Sequence, residues 1–97
     1  MITIIHGPMA SGKTFHKRAF AQLYGATHIV DCWDAMQHEI PTEDNRLVLT
    51  YSHPDEIQRA IRLDAPTVQV RVVDIKTARH HIGVAPYAPG RTERATF

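Results

Sequence analysis

The chain has 97 residues, of which 43% are apolar and 22% are charged, as expected for one small globular domain. Its formal net charge of +1 gives no reason to expect nucleic acid as a partner. Cys32 is the single cysteine, which excludes an intrachain disulfide and favours a reducing compartment. The sequence has neither a signal-peptide pattern nor an apolar run of membrane length, so we expect a cytoplasmic protein without a membrane segment.

The first elements in chain order are a strand, a loop and a helix. The apolar run of residues 1–5 predicts a buried β-strand. Residues 13–24 have helical spacing of apolar side chains, and Gly25 is a favourable residue for ending the helix. The side chains expected to face inward from this helix are those of Phe15, Ala19, Phe20 and Leu23.

Strands and helices then alternate along the rest of the chain. Further strands are predicted over residues 28–30, 47–49 and 68–73. Two helical turns are predicted over residues 34–40, a helix from Pro54 to a break at residues 64–66, and a short helix over residues 75–82. Ser52 or His53 is expected to cap the helix that begins at Pro54.

This alternation predicts an α/β fold in which about four parallel strands are connected by right-handed crossovers. We expect a minimal three-layer domain over residues 1–82. Residues 83–97 contain Pro86, Pro89 and Gly90, and they predict a flexible C-terminal tail. Ligands of such sheets bind at the carboxyl ends of the strands.

The loop between the first strand and the first helix carries the most specific motif, G-x-x-x-x-G-K-[ST]. Its residues are Gly7, Pro8, Met9, Ala10, Ser11, Gly12, Lys13 and Thr14. Backbone N–H groups and the positive end of a helix dipole collect around one anion in such a loop, and the glycines allow close approach to phosphates. Lys13 would reach the β- and γ-phosphates, and the Thr14 hydroxyl would be a ligand of Mg²⁺.

The loop and its context resemble the P-loop NTPase superfamily. The layout is similar to small-molecule kinases of the shikimate and gluconate kinase type, and the opening also looks similar to short ATP-binding proteins of bacteriophages. The resemblance implies that Asp31 holds Mg²⁺ or its water shell and that Asp34 faces an acceptor substrate. It also implies that an arginine enters the site from residues 72–79, which makes Arg79 a candidate catalytic residue.

Several assignments are left open by the sequence. Asp74 also follows an apolar strand and competes with Asp31 for the metal, and the alternative for either residue is a solvated carboxylate at a strand end or a helix cap. Thr50 would orient a water or simply end a strand. Arg91 and Arg94 are alternatives to Arg79, and each arginine is otherwise a surface charge.

The predicted function is Mg²⁺-dependent ATP hydrolysis or phosphoryl transfer, with Lys13, Asp31 and Arg79 as catalytic residues and with Thr14 and Asp31 at the metal. The sequence has no Asn-Lys-x-Asp guanine signature, which favours ATP over GTP. The alternative is a nucleotide-gated module that binds a partner protein with little turnover. A protein partner or a homo-oligomer is compatible with either function.

Overall fold

The computed structural model describes residues 1–8 and 12–84, and within these ranges it has a four-stranded, all-parallel sheet and three helices. The strands are β1 (Ile2–His6), β2 (His28–Trp33), β3 (Arg46–Thr50) and β4 (Val70–Asp74). The helices are α1 (Lys17–Leu23), α2 (Pro54–Asp64) and α3 (Ile75–His81). The predicted α/β class and the parallel sheet are therefore confirmed.

The strands lie in the order β2-β3-β1-β4, so β1 is an inner strand between β3 and β4. Ile4 of β1 is in register with Val48 of β3 and with Val72 of β4. A parallel sheet of this kind is buried on both faces, which is why its inner strands are continuous apolar runs.

Two apolar clusters cover the two faces of the sheet. On one face, Ile2 and Ile4 pack with α2 residues such as Ile57, and with Trp33 and Ile40. On the other face, α1 and α3 pack against the sheet. The residues of that second cluster include Ile5, Leu47, Leu49, Phe20, Ile75 and Ala78. The helices therefore form two outer layers with the sheet between them. Both layers are needed because successive apolar side chains of a strand point to opposite faces of the sheet.

Helix α1 differs from its predicted form in extent and in orientation. Its regular part begins at Lys17, because residues 12–16 form a turn in which the His16 amide donates to the Gly12 carbonyl at 3.0 Å. Of the four side chains expected to face inward, only that of Phe20 is buried. Phe15 is 66% exposed, and Ala19 and Leu23 are also exposed. The residues of α1 that are buried are Phe20 and Ala21. The buried face of α1 is therefore rotated from the predicted face by about one residue, or roughly 100°.

Residues 34–40 form one turn and not the two helical turns that their sequence predicts. Asp34 starts the turn, since its side chain accepts from the Met36 amide at 2.8 Å. The turn does not continue because the Trp33 indole donates to the Glu39 carbonyl at 3.0 Å and Ile40 is buried in the core. The predicted helix at residues 34–40 is wrong.

The ends of the other helices follow their sequence signals. His53 caps α2, Pro54 occupies its first turn and Asp74 caps α3. Gly25 follows α1 with a φ of 68°, a conformation that glycine adopts without steric cost. None of the helices in the described ranges has the length and apolar character needed to cross a membrane. The predicted tail lies outside these ranges from residue 85 onward.

Candidate functional site

The carboxyl ends of β1 and its two neighbours converge where the chain changes direction in the sheet. After β1 the chain passes to β2 and returns through β3 on one side, and it later adds β4 on the other side. The crevice at such a switch point is where open α/β sheets bind ligands. Gly7 lies at this point, and its amide donates to the Thr50 carbonyl at 3.2 Å. The sheet therefore places the start of the glycine loop at its preferred ligand-binding position.

The Lys13 ammonium lies against the start of its own loop. Its Nζ donates to the carbonyl oxygens of Gly7 and Pro8, each at 2.7 Å, and the residue is only 9% exposed. Burial lowers the pKa of Lys13, while the nearby Asp31 and Cys32 oppose that shift. Because the two carbonyls are neutral acceptors, a phosphate would be a stronger partner for this cation.

The Thr14 hydroxyl is held next to the Asp31 carboxylate. Thr14 Oγ1 donates to Asp31 Oδ1 at 3.1 Å, and the Cys32 amide donates to the same oxygen at 2.8 Å. The register of β2 against β3 shifts between Val30 and Trp33, and Cys32 has a φ of 56°. Such a bulge redirects a side chain at a strand end. Here the oxygens of Thr14 and Asp31 lie beside one another at the end of the sheet.

Thr14 Oγ1 and Asp31 Oδ1 are both oxygen atoms, the ligand type that Mg²⁺ takes, and their separation is that of a hydrogen bond. Magnesium takes oxygen ligands at about 2.0–2.1 Å in octahedral geometry, which puts neighbouring ligands about 2.9 Å apart. The observed separation of Thr14 Oγ1 and Asp31 Oδ1 is 3.1 Å. Within residues 1–8 and 12–84, no group of three or more His, Cys, Asp or Glu side chains is placed to hold a metal. One or two protein oxygens, completed by phosphates and water, are the usual magnesium ligands beside a nucleotide.

His6 immediately precedes the glycine loop, and the sequence predicts only that it ends the first strand. His6 ends β1 in register with Asp74 of β4, on the face of the sheet that α2 covers. Burial lowers the pKa of His6; Asp74 opposes this shift, and His53 and Lys13 add to it. The lowered pKa favours the neutral form of the imidazole. Its position next to the loop was visible in the sequence, but the pairing of β1 with β4 was not.

The side chains that end β3 and β4 are engaged in structural hydrogen bonds. Thr50 is buried, and its hydroxyl donates to the Trp33 carbonyl at 2.5 Å and accepts from the Ser52 amide at 3.0 Å. The Asp74 carboxylate accepts from the Lys76 amide at 2.7 Å and so caps α3. Of the two acids that competed for the metal in the sequence, Asp31 is the one beside Thr14.

Arg79 is not a surface charge. It is 2% exposed within α3, five residues after the cap of that helix. At 1.5 Å per residue, its backbone is about 7.5 Å along the helix from the carboxyl end of the sheet. Its catalytic role stays a prediction. Of the other predicted residues, Met9, Ala10, Ser11, Arg91 and Arg94 lie outside the described residues.

Comparisons with known proteins identify no relative of this chain. No family model matches the chain, and neither the curated proteins nor the solved structures give a significant match.

Proposed function

We propose that this chain binds ATP with Mg²⁺ and catalyses its hydrolysis or the transfer of its γ-phosphoryl group. One observation carries the proposal. At the switch point of a parallel sheet, the Lys13 ammonium lies 2.7 Å from the carbonyls of Gly7 and Pro8, and the Thr14 hydroxyl lies 3.1 Å from the Asp31 carboxylate. A cation and two magnesium-type oxygens are thereby grouped around the end of a loop with the phosphate-binding sequence pattern.

The proposed roles follow from the charges. Lys13 would move from the two carbonyl oxygens to the β- and γ-phosphates, where it meets full negative charge. Thr14 and Asp31 would hold Mg²⁺, which neutralises charge on the phosphate oxygens when it is bound. An oxygen of water or of an acceptor would attack the γ-phosphorus, and the bond to the bridging β-phosphate oxygen would break to release ADP. Such catalysis consists mainly of positioning and electrostatics, which a small domain can supply.

A second function is favoured by the state of the strand ends. The Thr50 hydroxyl and the Asp74 carboxylate, which would otherwise be suited to orient a water, are both occupied by backbone groups. A protein with this arrangement would bind the nucleotide and turn it over slowly, using the bound state to control a partner. The nucleotide-gated module therefore remains the alternative.

Nucleotide binding is tested first, by calorimetric titration with Mg·ATP and with Mg·GTP. We expect saturable binding to the wild type, a preference for ATP, and no binding to Lys13→Ala. Lys76→Ala is the matched control, because it removes an exposed lysine after the last strand. At a ligand concentration a hundred times Kd, the free energy of unfolding should rise by about 2.7 kcal/mol. Equal binding by wild type and Lys13→Ala would refute the proposed site.

Phosphate release then separates the enzyme from the module. We expect Mg·ATP to be hydrolysed by the wild type, and much less by Thr14→Ala and Asp31→Asn, since the first removes a proposed magnesium ligand and the second removes the negative charge of the other. Binding without phosphate release, in the presence and absence of candidate acceptors, would establish the module instead. Release that persists unchanged in Lys13→Ala would come from a contaminant and would remove the support for an enzyme.

A further inference from the structure

A surface groove lies between helix α2 and residues 35–39. Its volume is about 320 Å³, at the lower end of the range for binding pockets. Glu56, Ala60 and Leu63 line it from α2 at the spacing i, i+4 and i+7, which places them on one face of the helix. From residue 56 to residue 64 the groove extends about 12 Å along the helix.

Two large apolar side chains that line the groove are exposed to solvent. Met36 is 64% exposed and Leu63 is 70% exposed, and they contribute to opposite walls. Isolated exposed apolar residues are ordinary, but two that face one groove form a place for an apolar side chain of a partner.

The rim of the groove is acidic although the whole chain carries a net charge of +1. Glu39, Glu56 and Asp64 line it, with Arg59 as the opposing charge. Among the described residues, the ion pairs are those of the Met1 amine with Asp44 and of His53 with Asp55. Among the described residues, no lysine, arginine or histidine side chain forms an ion pair with the carboxylates of the groove, although Glu56 accepts from the His53 amide. These carboxylates can therefore attract the cations of a partner.

Residues 35–39, which form the wall opposite α2, are held in place by hydrogen bonds within the chain. The Ala35 amide donates to Ser52 Oγ at 3.0 Å, and the Trp33 indole donates to the Glu39 carbonyl at 3.0 Å. A preformed wall lowers the conformational entropy that binding would otherwise cost.

We infer that this groove binds a basic amphipathic segment of a partner protein, with apolar side chains against Met36 and Leu63 and lysine or arginine beside the acidic rim. Laying the apolar face of an amphipathic helix into an apolar groove is an established mode of peptide recognition, in which the bound helix supplies anchors at i, i+3, i+4 and i+7 spacing. The inference goes beyond the proposed nucleotide site and does not depend on it, since none of the groove residues belongs to the glycine loop.

The test uses a fluorescently labelled leucine–lysine peptide of about 15 residues, long enough to form a helix, with leucines at i, i+3, i+4 and i+7 spacing. A peptide with glutamate in place of lysine is the matched probe. Fluorescence anisotropy with the full chain should show saturable binding of the lysine peptide. Its affinity should fall with increasing salt, whereas the glutamate peptide should bind at least about tenfold more weakly.

Variants of exposed residues locate the binding. Met36→Ser with Leu63→Ser should lower the affinity for the lysine peptide by about tenfold or more, while Leu23→Ser, on α1, should change it by less than about twofold. Glu56→Gln with Asp64→Asn should weaken binding severalfold and reduce its salt dependence. Glutamine at this position keeps an acceptor for the His53 amide, so the α2 cap is retained. Glu43→Gln with Asp55→Asn removes the same charge elsewhere and is the control.

The inference is overturned by any of three results: no saturable binding of the lysine peptide, equal binding of both peptides, or equal loss in the groove and control variants. Sedimentation tests whether a second copy of the chain is the occupant. Self-association that the Met36 and Leu63 substitutions abolish, with peptide binding unchanged, would also overturn it. Circular dichroism of each variant verifies that the fold is intact.

Discussion

At the scale of single residues, the Thr50 hydroxyl joins the ends of two strands. It donates to the Trp33 carbonyl of β2 and accepts from the amide of Ser52 just beyond β3. Thr50→Val keeps the shape of the side chain and leaves both backbone groups buried without this partner. Such a loss costs about 1–3 kcal/mol of the free energy of unfolding, which urea denaturation measures.

The control for this change is Thr50→Ser, which keeps the hydroxyl and removes one methyl group at a cost of about 1 kcal/mol. We expect the valine variant to be the less stable of the two. If the valine variant is as stable as the wild type, the hydroxyl contributes nothing and another interaction aligns the strand ends.

His6 gives the protein a pH dependence of stability through its burial. Because burial lowers the pKa of His6 in the folded state, the unfolded chain takes up a proton at higher pH than the folded protein. The stabilising contribution is therefore complete above the ordinary histidine pKa of about 6.5 and is lost as the pH falls through the folded-state value. His6→Gln should flatten the curve of unfolding free energy against pH between about 7 and 5, by at most about 1.4 kcal/mol per pH unit.

Three charged or titratable groups act on His6, namely Asp74, His53 and Lys13, so the comparison is made between variant and wild type under identical buffers. His80→Gln, at an exposed position of α3, is the control. Parallel curves for wild type and His6→Gln would show that His6 does not titrate differently on folding.

At the scale of elements, the N-cap residue of α2 is a histidine, a residue type that is not among the preferred N-caps. His53 Nδ1 accepts from the Asp55 amide at 3.2 Å, and Glu56 accepts from the His53 amide at 2.9 Å. Serine is among the preferred N-cap residues and forms a capping box with glutamate three positions later. His53→Ser should therefore maintain or raise stability, and His53→Ala should lower it by about 1 kcal/mol. Thermal denaturation of the two variants measures the difference, and equal stability of both would show that the cap is not needed.

The sequence predicted elements where local signals agree and failed where tertiary contacts decide. Helix α2 begins at Pro54 and ends at Asp64, as the capping residue, the proline and the break after the helix predict, and the four parallel strands follow from apolar runs. The rotation of α1 was not predictable, because Phe15 and Phe20 are equally apolar and only the sheet selects one of them. Residues 34–40 have helical composition, but the Trp33 indole and the burial of Ile40 determine their shape.

In the candidate site, too, local sequence patterns predicted some features, while others depend on tertiary structure. The glycine-loop pattern predicted Lys13 and Thr14 as site residues, and the resemblance to known kinases predicted Asp31. The structure places Asp31 beside Thr14, and the roles of all three residues stay predictions. The positive φ of Cys32, whose amide donates to Asp31, has no sequence signal, because cysteine is not a residue that favours this conformation. The pairing of β1 with β4, which brings His6 to Asp74, is a property of strand order and is not encoded in any local pattern.

At the scale of the whole molecule, one short segment connects the proposed nucleotide site with the groove. Asp31 contacts Thr14, Trp33 follows two residues later and fixes Glu39, and residues 35–39 form one wall of the groove. Replacing the Thr14–Asp31 hydrogen bond by coordination of Mg·ATP would alter the end of β2 and hence this wall. The two sites should therefore be coupled, and coupling between binding sites is reciprocal.

We expect Mg·ATP to change the Kd of the leucine–lysine peptide by about fivefold or more, within the usual range of coupling between sites. The peptide at saturation must then change the Kd of Mg·ATP by the same factor, because the two paths to the ternary complex have the same total free energy. Lys13→Ala should abolish the effect of the nucleotide while leaving peptide binding to the groove unchanged. Peptide affinity that is identical with and without saturating Mg·ATP would show that the two sites act independently. In that case the hydrogen bonds of Trp33 and Ser52 hold the groove wall in place whatever contacts Asp31 makes.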